Sequence, residues 1–389
     1  MKRRLQVLHI ITRLDPGGSA ENTTLSVERV DPERFESHVW TGPGLVGGGP
    51  APVYAQRLHG QFSIVKNLVR PIHPIKDLLA VVELTFLLRK TKADILHLHT
   101  AKGGAIGRVA AKLAGYRGKI IYTPHGHIFS GYGGSLSSRF FTLIEQWLAP
   151  VCDAIVGLTT DEVNQFQLHH AGKSCQFVVI PSGIEIAPFQ AAVASRNATR
   201  NSFGLDAITP LVGFIGRFDP VKGPDLFLES LARIRREIPE LRALMIGDGP
   251  MATELQRTAD QLHLEDTVIW TGWRSDIPEL VASLDLLMVT SRNEGQGRVV
   301  VEAGAAGVPT VALANGGVGE VVVTGETGLL AQPNDLDALA QATVELLRDP
   351  KRRERMGKAA RKRAKEFFSV EVMIEKLEQL YSTLAEPKV

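Results

Sequence analysis

LVGFIGRFDPVKGPDLFLESLARIRRE, residues 211–237, reads as a single folding unit. Leu211 to Phe218 is a mostly apolar run of strand length, bounded by turn chemistry, and predicts a strand buried on both faces. Gly223-Pro224 then suits a helix start with proline in its first turn, and a helix is expected over about 223–237. Arg217 and Lys222 flank the turn. Ligands of open parallel sheets bind just above such strand ends. Two cations converging there fit a diphosphate, which arginine grips as a fork and lysine as a point charge. The plainer alternative is a pair of solvated loop charges.

The same rhythm extends in both directions. Downstream, RALMIGDG (242–249), TVIWTG (267–272), LDLLMVTS (284–291) and PTVALA (309–314) read as strands, with helices near 251–263, 276–283 and 297–307. Upstream, RLQVLHIIT (4–12), SHVWTG (37–42), ADILHLHT (93–100), KIIYTPHG (119–126), AIVGLT (154–159) and FVVIPSG (177–183) do the same, with helices notably at 104–115 and 137–149. Alternating strands and helices predict an α/β fold with parallel sheets covered by helices. Because the rhythm restarts, two Rossmann-like domains are expected, at 1–184 and 185–368. The polar, strand-poor stretch from Glu185 to Pro210 reads as the linker and the start of the second domain. After it, residues 369–389 carry an apolar stripe (Met373, Leu377, Leu380, Tyr381, Leu384) at helical spacing, expected to pack back on the first domain.

At 389 residues, 44% hydrophobic and 22% charged, the chain suits two globular cores and excludes disorder. No stretch is long and apolar enough for a membrane span. MKRRLQVLHI resembles the start of a signal peptide, but charge returns at Arg13 and Asp15 and a first strand explains it better. Two cysteines, Cys152 and Cys175, make neither a disulfide framework nor a zinc site, so a reducing cytoplasm is expected. The net charge of +2 is unevenly placed. Residues 1–183 hold 20 Lys+Arg against 13 Asp+Glu, the remainder 24 against 29, and ten of the eleven histidines fall in the first part. Within it, Lys102, Arg108, Lys112, Arg117 and Lys119 cluster on and after one predicted helix, and Lys66, Arg70 and Lys76 lie in VKNLVRPIHPIKDLL. This bias suggests reversible attachment to an anionic membrane surface, the alternative being an incidental difference between halves with a soluble acceptor; no partner among nucleic acids is expected.

Three further segments carry chemistry. In LDPGGSAENTT, Gly17 and Gly18 follow the first strand and precede a helix, an arrangement that suits an anion on backbone N–H groups but is equally common as a bare turn. In SRNEGQGRVVVEAGAAGVPTV, Glu294 precedes a Gly-Gln-Gly turn, and Gly297, Arg298 and Val299 open a helix whose amides suit phosphate. Glu302, about one turn further on, lies too deep in that helix to be explained as a dipole partner. The two carboxylates can hydrogen-bond sugar hydroxyls. In YTPHGHIFSGYGG, His125 ends a strand and His127 follows. With His97 and His99 they could be imagined as a metal cluster, but HxH pairs on strands are usually same-face neighbours. No DxD motif is expected to hold a divalent ion.

Taken in order, GGSAE, HLHTAKGGAIGRVAAKLAG, YTPHG, VVIPSGIE, GRFDPVKG, MIGDGP, WTGWRSDI, EGQGRVVVEA, GGVGEVV, TGETGLL and FFSVEVMIEKLEQLY resemble the family-4 retaining glycosyltransferases over nearly the whole chain. The resemblance implies the GT-B fold: two facing Rossmann-like domains, an active site in the cleft, and a C-terminal helix crossing back to the first domain. It implies that Arg217 and Lys222 hold the donor diphosphate with the amides of Gly18, Arg298 and Val299. Glu302 would bind ribose, Glu294 the transferred sugar, and His125 the donor sugar or phosphate beside the reacting centre. Trp273 and Arg274 would border the base. Two departures stand out. PSGIE replaces the usual PNGID, placing Ser182 and Glu185 there, and EGQGR replaces a Phe-containing turn, placing Gln296 under the donor sugar.

The expected activity is retaining transfer of a hexose-type sugar from a UDP- or GDP-sugar to a saccharide or lipid-linked acceptor, in cell-surface polysaccharide or glycolipid synthesis. No nucleophilic carboxylate is evident. Attack on the face the diphosphate leaves, with a phosphate oxygen taking the acceptor proton, fits better, and needs neither metal nor cofactor. The alternatives are a nucleotide-sugar 2-epimerase of similar fold and a non-catalytic nucleotide-sugar-binding protein. A dehydrogenase would need a GxGxxG turn followed by an acidic residue.

Overall fold

The computed structural model describes residues 3–44, 50–126, 129, 135–173 and 176–386; His127 and Cys175 lie outside them. It divides into two compact units, residues 1–183 with 370–389, and residues 184–369. The first unit holds β1 (Leu5–Ile11), β2 (Phe35–Thr41), β3 (Phe62–Ile64), β4 (Ile95–His99), β5 (Lys119–Thr123), β6 (Ala154–Gly157) and β7 (Phe177–Val179). They form one parallel sheet in the order β3-β2-β1-β4-β5-β6-β7. The second unit holds β8 (Leu211–Ile215), β9 (Arg242–Ile246), β10 (Val268–Gly272), β11 (Leu286–Val289), β12 (Thr310–Leu313) and β13 (Gly328–Ala331). Their order is β10-β9-β8-β11-β12-β13, again parallel. In both sheets the order reverses beside the first strand, at β1/β4 and at β8/β11. Such reversals open a crevice at the carboxyl ends of the strands, where these folds bind ligands.

Alternation along the strands explains why each sheet is covered on both faces. In the second unit, Val212, Ala243, Met245, Leu286, Met288 and Val311 join one cluster with Phe227 and Leu231 of the helix Pro224–Arg235. Their neighbours Leu211, Leu244, Ile246, Leu287, Val289 and Ala312 join another with Val300 and Val301 of the helix Arg298–Ala306. In the first unit, Leu8, Ile10, Leu96, Leu98 and Tyr122 face one way. Val7, Ile95 and Ile121 face the other, where Met373, Ile374, Leu377 and Tyr381 of the helix Val370–Ala385 cover them. The apolar stripe of that last helix is therefore spent on the first unit.

The stretch from Glu185 to Pro210 is no linker. It forms the helices Ile186–Ala191 and Arg196–Ser202, with a 3-10 turn between them, and buries Phe189, Ala192 and Leu205 in the second unit. Its polarity misleads because two arginines serve as internal fasteners. Arg196 donates to the carbonyls of Ala282 and Leu284 and pairs with Asp285 at 2.8 Å. Arg200, fully buried, donates to the carbonyls of Asp206, Ser283 and Thr209. A guanidinium whose N–H groups meet carbonyls and a carboxylate can be buried in this way.

Candidate active site

The second unit's site is built at the carboxyl ends of β8 and β11. Gly223 ends the turn after β8 with φ 62, and a Cβ there would stand 2.2 Å from the carbonyl oxygen of Thr290. Only glycine permits that backbone and that approach. Thr290 Oγ1 donates to the Gly223 carbonyl at 2.7 Å, and Arg292 N to that of Val221 at 2.8 Å, so the two loops are stitched together. Lys222 Nζ consequently meets Glu294 Oε2 at 2.6 Å. Ser291 Oγ donates to the same oxygen at 2.9 Å, while Oε1 accepts no hydrogen bond among the described residues. Arg217 is held only loosely, 3.8 Å from Asp219, with nearly half of its side chain exposed.

Gly297, in the left-handed region at φ 78, is the N-cap of the helix Arg298–Ala306, and Gln296 before it is buried. Arg298 folds back along its own helix to Glu302, Nε to Oε1 at 3.1 Å. The spacing of four residues predicts that contact, yet reading Arg298 only for its backbone amide overlooks it. The arrangement thus joins two carboxylates, each with its own cation, to a helix N-terminus at one switch point. That combination can hold an anion flanked by hydroxyl groups. At the end of β10, Trp273 is exposed and Arg274 pairs with Asp276 at 2.6 Å.

In the first unit, Gly17 caps and Gly18 begins the helix Gly18–Glu28, directly after β1. The pleat puts His9, His97 and His99 on one face, and His125 follows β5 at φ 60. His125 Nε2 lies 2.8 Å from His99 Nδ1, and His99 Nε2 lies 2.9 Å from His9 Nδ1. His97 meets the hydroxyls of Tyr381 and Thr123, each at 2.8 Å. Burial pulls His9 and His125 down to about 3. It also holds His97 and His99 well below the ordinary histidine value, helped by the neighbouring rings. The nitrogens of His9, His97 and His99 lie within 4.8 Å of one another, a spacing a metal could use, but all except His9 Nε2 are engaged in these hydrogen bonds. His9 is absent from the set read in the sequence. Its place on β1 opposite His97 becomes visible only once the strand order is known.

Other expectations change with the side chains in view. A DxD spacing does occur, at Asp335-Leu336-Asp337, but Asp335 caps a helix by accepting from Ala338 N and Asp337 pairs with Arg233. Ser182 accepts from Asn22 at 2.9 Å, so that departure sits in an internal seam of the first unit. The cationic cluster on the helix Ala101–Ala114 is largely neutralised: Arg108 is buried against Glu145, Lys102 meets Asp77 and Lys119 meets Asp153.

A family model described as Glycosyltransferase Family 4 matches residues 17–187, and one described as Glycosyl transferases group 1 matches residues 195–363. The chain is 28% identical over 324 residues to an Escherichia coli UDP-Gal:alpha-D-GlcNAc-diphosphoundecaprenol alpha-1,3-galactosyltransferase, across 82% of each chain. It is 29% identical to the N-acetyl-alpha-D-glucosaminyl L-malate synthase of Bacillus anthracis, across 79% of this chain and 80% of that one. Its fold matches Anabaena HepE, solved in complex with UDP and glucose, with a TM-score of 0.82 at 23% identity over 98% of this chain and all of that one.

Proposed function

The chain belongs to the family-4 glycosyltransferases of GT-B fold, and from that premise we propose that it moves a hexose-type sugar, with retention, from a UDP- or GDP-sugar to a lipid-linked or membrane-proximal saccharide. The observation that carries the donor half is the Lys222–Glu294 pair beside the N-terminus of the helix Arg298–Ala306. Lys222 and Arg217 neutralise the diphosphate, helped by the amides that open the helix Arg298–Ala306. Glu294, oriented through Oε2, keeps Oε1 for a hydroxyl of the transferred sugar, and Glu302 takes the ribose. In the first unit, His125 hydrogen-bonds a sugar or phosphate oxygen of the substrate. The acceptor attacks on the face the diphosphate leaves, and a phosphate oxygen takes its proton. Catalysis is then chiefly electrostatic, each preorganised donor contributing about 3–4 kcal/mol to charge growing on the leaving group. This route needs no metal.

The acceptor half rests on the surface of the first unit. The helix Pro74–Lys90 exposes Ile75, Leu78, Leu79, Val82 and Phe86, and the helix Ser135–Leu148 exposes Phe140, Leu143 and Trp147. Leu113 is exposed on the helix that neighbours both. Lys112 lies 5.0 Å from the Trp147 ring and Arg89 5.9 Å from Phe86, so cations rim the apolar surface. Apolar patches rimmed by basic and aromatic groups suit an anionic lipid leaflet, while no described helix is long and apolar enough to cross one. The E. coli relative is named for an undecaprenyl diphosphate-linked acceptor, in keeping with this reading. On it the enzyme works at the cytoplasmic face of the membrane in polysaccharide or glycolipid assembly.

A panel of nucleotide sugars, assayed for UDP or GDP release with lipid-linked and soluble saccharides, tests the proposal. Release requiring a lipid-linked acceptor and persisting in EDTA is expected; acceptor-independent release, or loss in EDTA reversed by magnesium, overturns it. Vesicles of graded anionic lipid should retain the protein partly even at high salt, since apolar insertion is not screened. No binding to strongly anionic vesicles at low salt would end the membrane reading.

A further inference from the structure

We infer that His9 and His99 are positioning residues, a one-way hydrogen-bond relay that fixes His125 as an Nδ1–H donor toward the substrate. The inference rests on the proposed contact of His125 with a sugar or phosphate oxygen of the substrate, and adds which atom makes it and in what form. A neutral imidazole has one N–H and one bare nitrogen. The run His9 Nδ1, His99 Nε2 and Nδ1, His125 Nε2 is joined at 2.9 and 2.8 Å, so all its bonds must point the same way. Either every proton sits on Nδ1 or every proton sits on Nε2.

The buried end decides which. His9 is fully buried and its Nε2 has no hydrogen-bond partner among the described residues. With protons on Nε2, a buried N–H would be stranded there; with protons on Nδ1, only a bare acceptor is. Stranded buried N–H groups are the rarer and costlier case. His9 therefore donates through Nδ1 to His99 Nε2, and His99 through Nδ1 to His125 Nε2. His125, half-buried, is left with Nδ1–H, which makes no hydrogen bond among the described residues. This is the reverse of the tautomer that free histidine favours in water. His97 imposes no direction, because both its partners are hydroxyls that can donate or accept. Its ring stands 4.2 Å from that of His99 and steadies it. Burial keeps all four rings neutral, so the direction is not erased by protonation.

The chemical consequence is that His125 acts as a neutral donor and not as a base. A donor there stabilises negative charge on a phosphate or sugar oxygen, in keeping with proton transfer from the acceptor to the leaving group. For metal-bound histidines such second partners set tautomer and ring orientation, and losing one costs about 10- to 100-fold; a loss of the same order is expected here.

Histidine-selective 15N labelling of the whole chain, read by long-range 1H–15N correlation, tests the relay without a variant. Pyridine-type Nε2 with protonated Nδ1 is expected at His9, His99 and His125; protonated Nε2 at any of the three overturns the inference. His9→Asn keeps an N–H donor where Nδ1 stood, and should hold kcat within a few-fold of wild type. In contrast, His9→Asp offers an acceptor, should reverse the 15N pattern at His99 and His125, and should lower kcat by about 10- to 100-fold with KM little changed. Equal losses in the two variants would reduce His9 to a packing residue and overturn the relay. Unchanged kcat in His125→Leu would instead remove the contact on which the relay acts, whatever the 15N pattern shows.

Discussion

The two units solve the same problem, holding polar groups at a strand end, by opposite means. In the second unit the groups are charged and only partly buried, paired between two strand-end loops in Lys222 with Glu294 and along one helix in Arg298 with Glu302. In the first they are neutral, buried except for half-buried His125, and recruited from β1, β4 and the end of β5. A charge pair tolerates water and can exchange its partner for an incoming anion. A neutral array cannot, but it can hold a proton on a chosen atom. The difference teaches that one site is poised to bind charge and the other to direct a hydrogen bond.

Acid should break the comparison most strongly. A histidine kept neutral by folding takes up its proton on unfolding, so the unfolded chain binds more protons from about pH 6.5 down to about pH 3, and stability falls as pH falls through that window. At about pH 5, His9 and His125 should each remove about 2 kcal/mol, with His97 and His99 adding to the loss. The second unit contains only His263. Hydrogen exchange at neutral pH and at about pH 5 should show the first unit loosening while the second holds; equal loosening would refute the account.

Next in size is the charge of the second unit. Arg217→Ala and Lys222→Ala should each lower kcat/KM by about 2–4 kcal/mol in transition-state terms, with little change in melting temperature. Turnover within a few-fold of wild type for both would remove these residues from the donor site. The smallest effect sharpens the contrast. Tyr381→Phe strips the hydroxyl from His97 Nδ1 and should cost about 1–3 kcal/mol of stability, seen as a lower melting temperature, with kcat little altered. A large kcat loss would place His97 inside the relay.

How much of this was legible follows from how local each feature is. The strands, the turns at Gly223 and Gly297, and the positions of Arg217, Lys222, Glu294 and Glu302 could be read directly, because apolar period and turn chemistry act within a few residues. Reading Arg196 and Arg200 as linker residues failed because a sequence shows an arginine's charge and not the carbonyls that surround it. The basic cluster misled for the same reason. Arg108 counts toward a cationic surface until Glu145, from another helix, is seen to lie 2.8 Å away in the core.

What the sequence by itself determined is the alternation of strand and helix, the restart that makes two units, the family, and the loops that carry donor chemistry. The tertiary structure alone decided which side chains satisfy one another. It paired Lys222 with Glu294, laid the last helix on the first sheet, and set His9 beside the histidines of β4. The physical reason is that periodicity and turn preference are properties of neighbouring residues. A buried proton's position instead depends on every group packed around it, and strand order brings those groups together from distant parts of the chain.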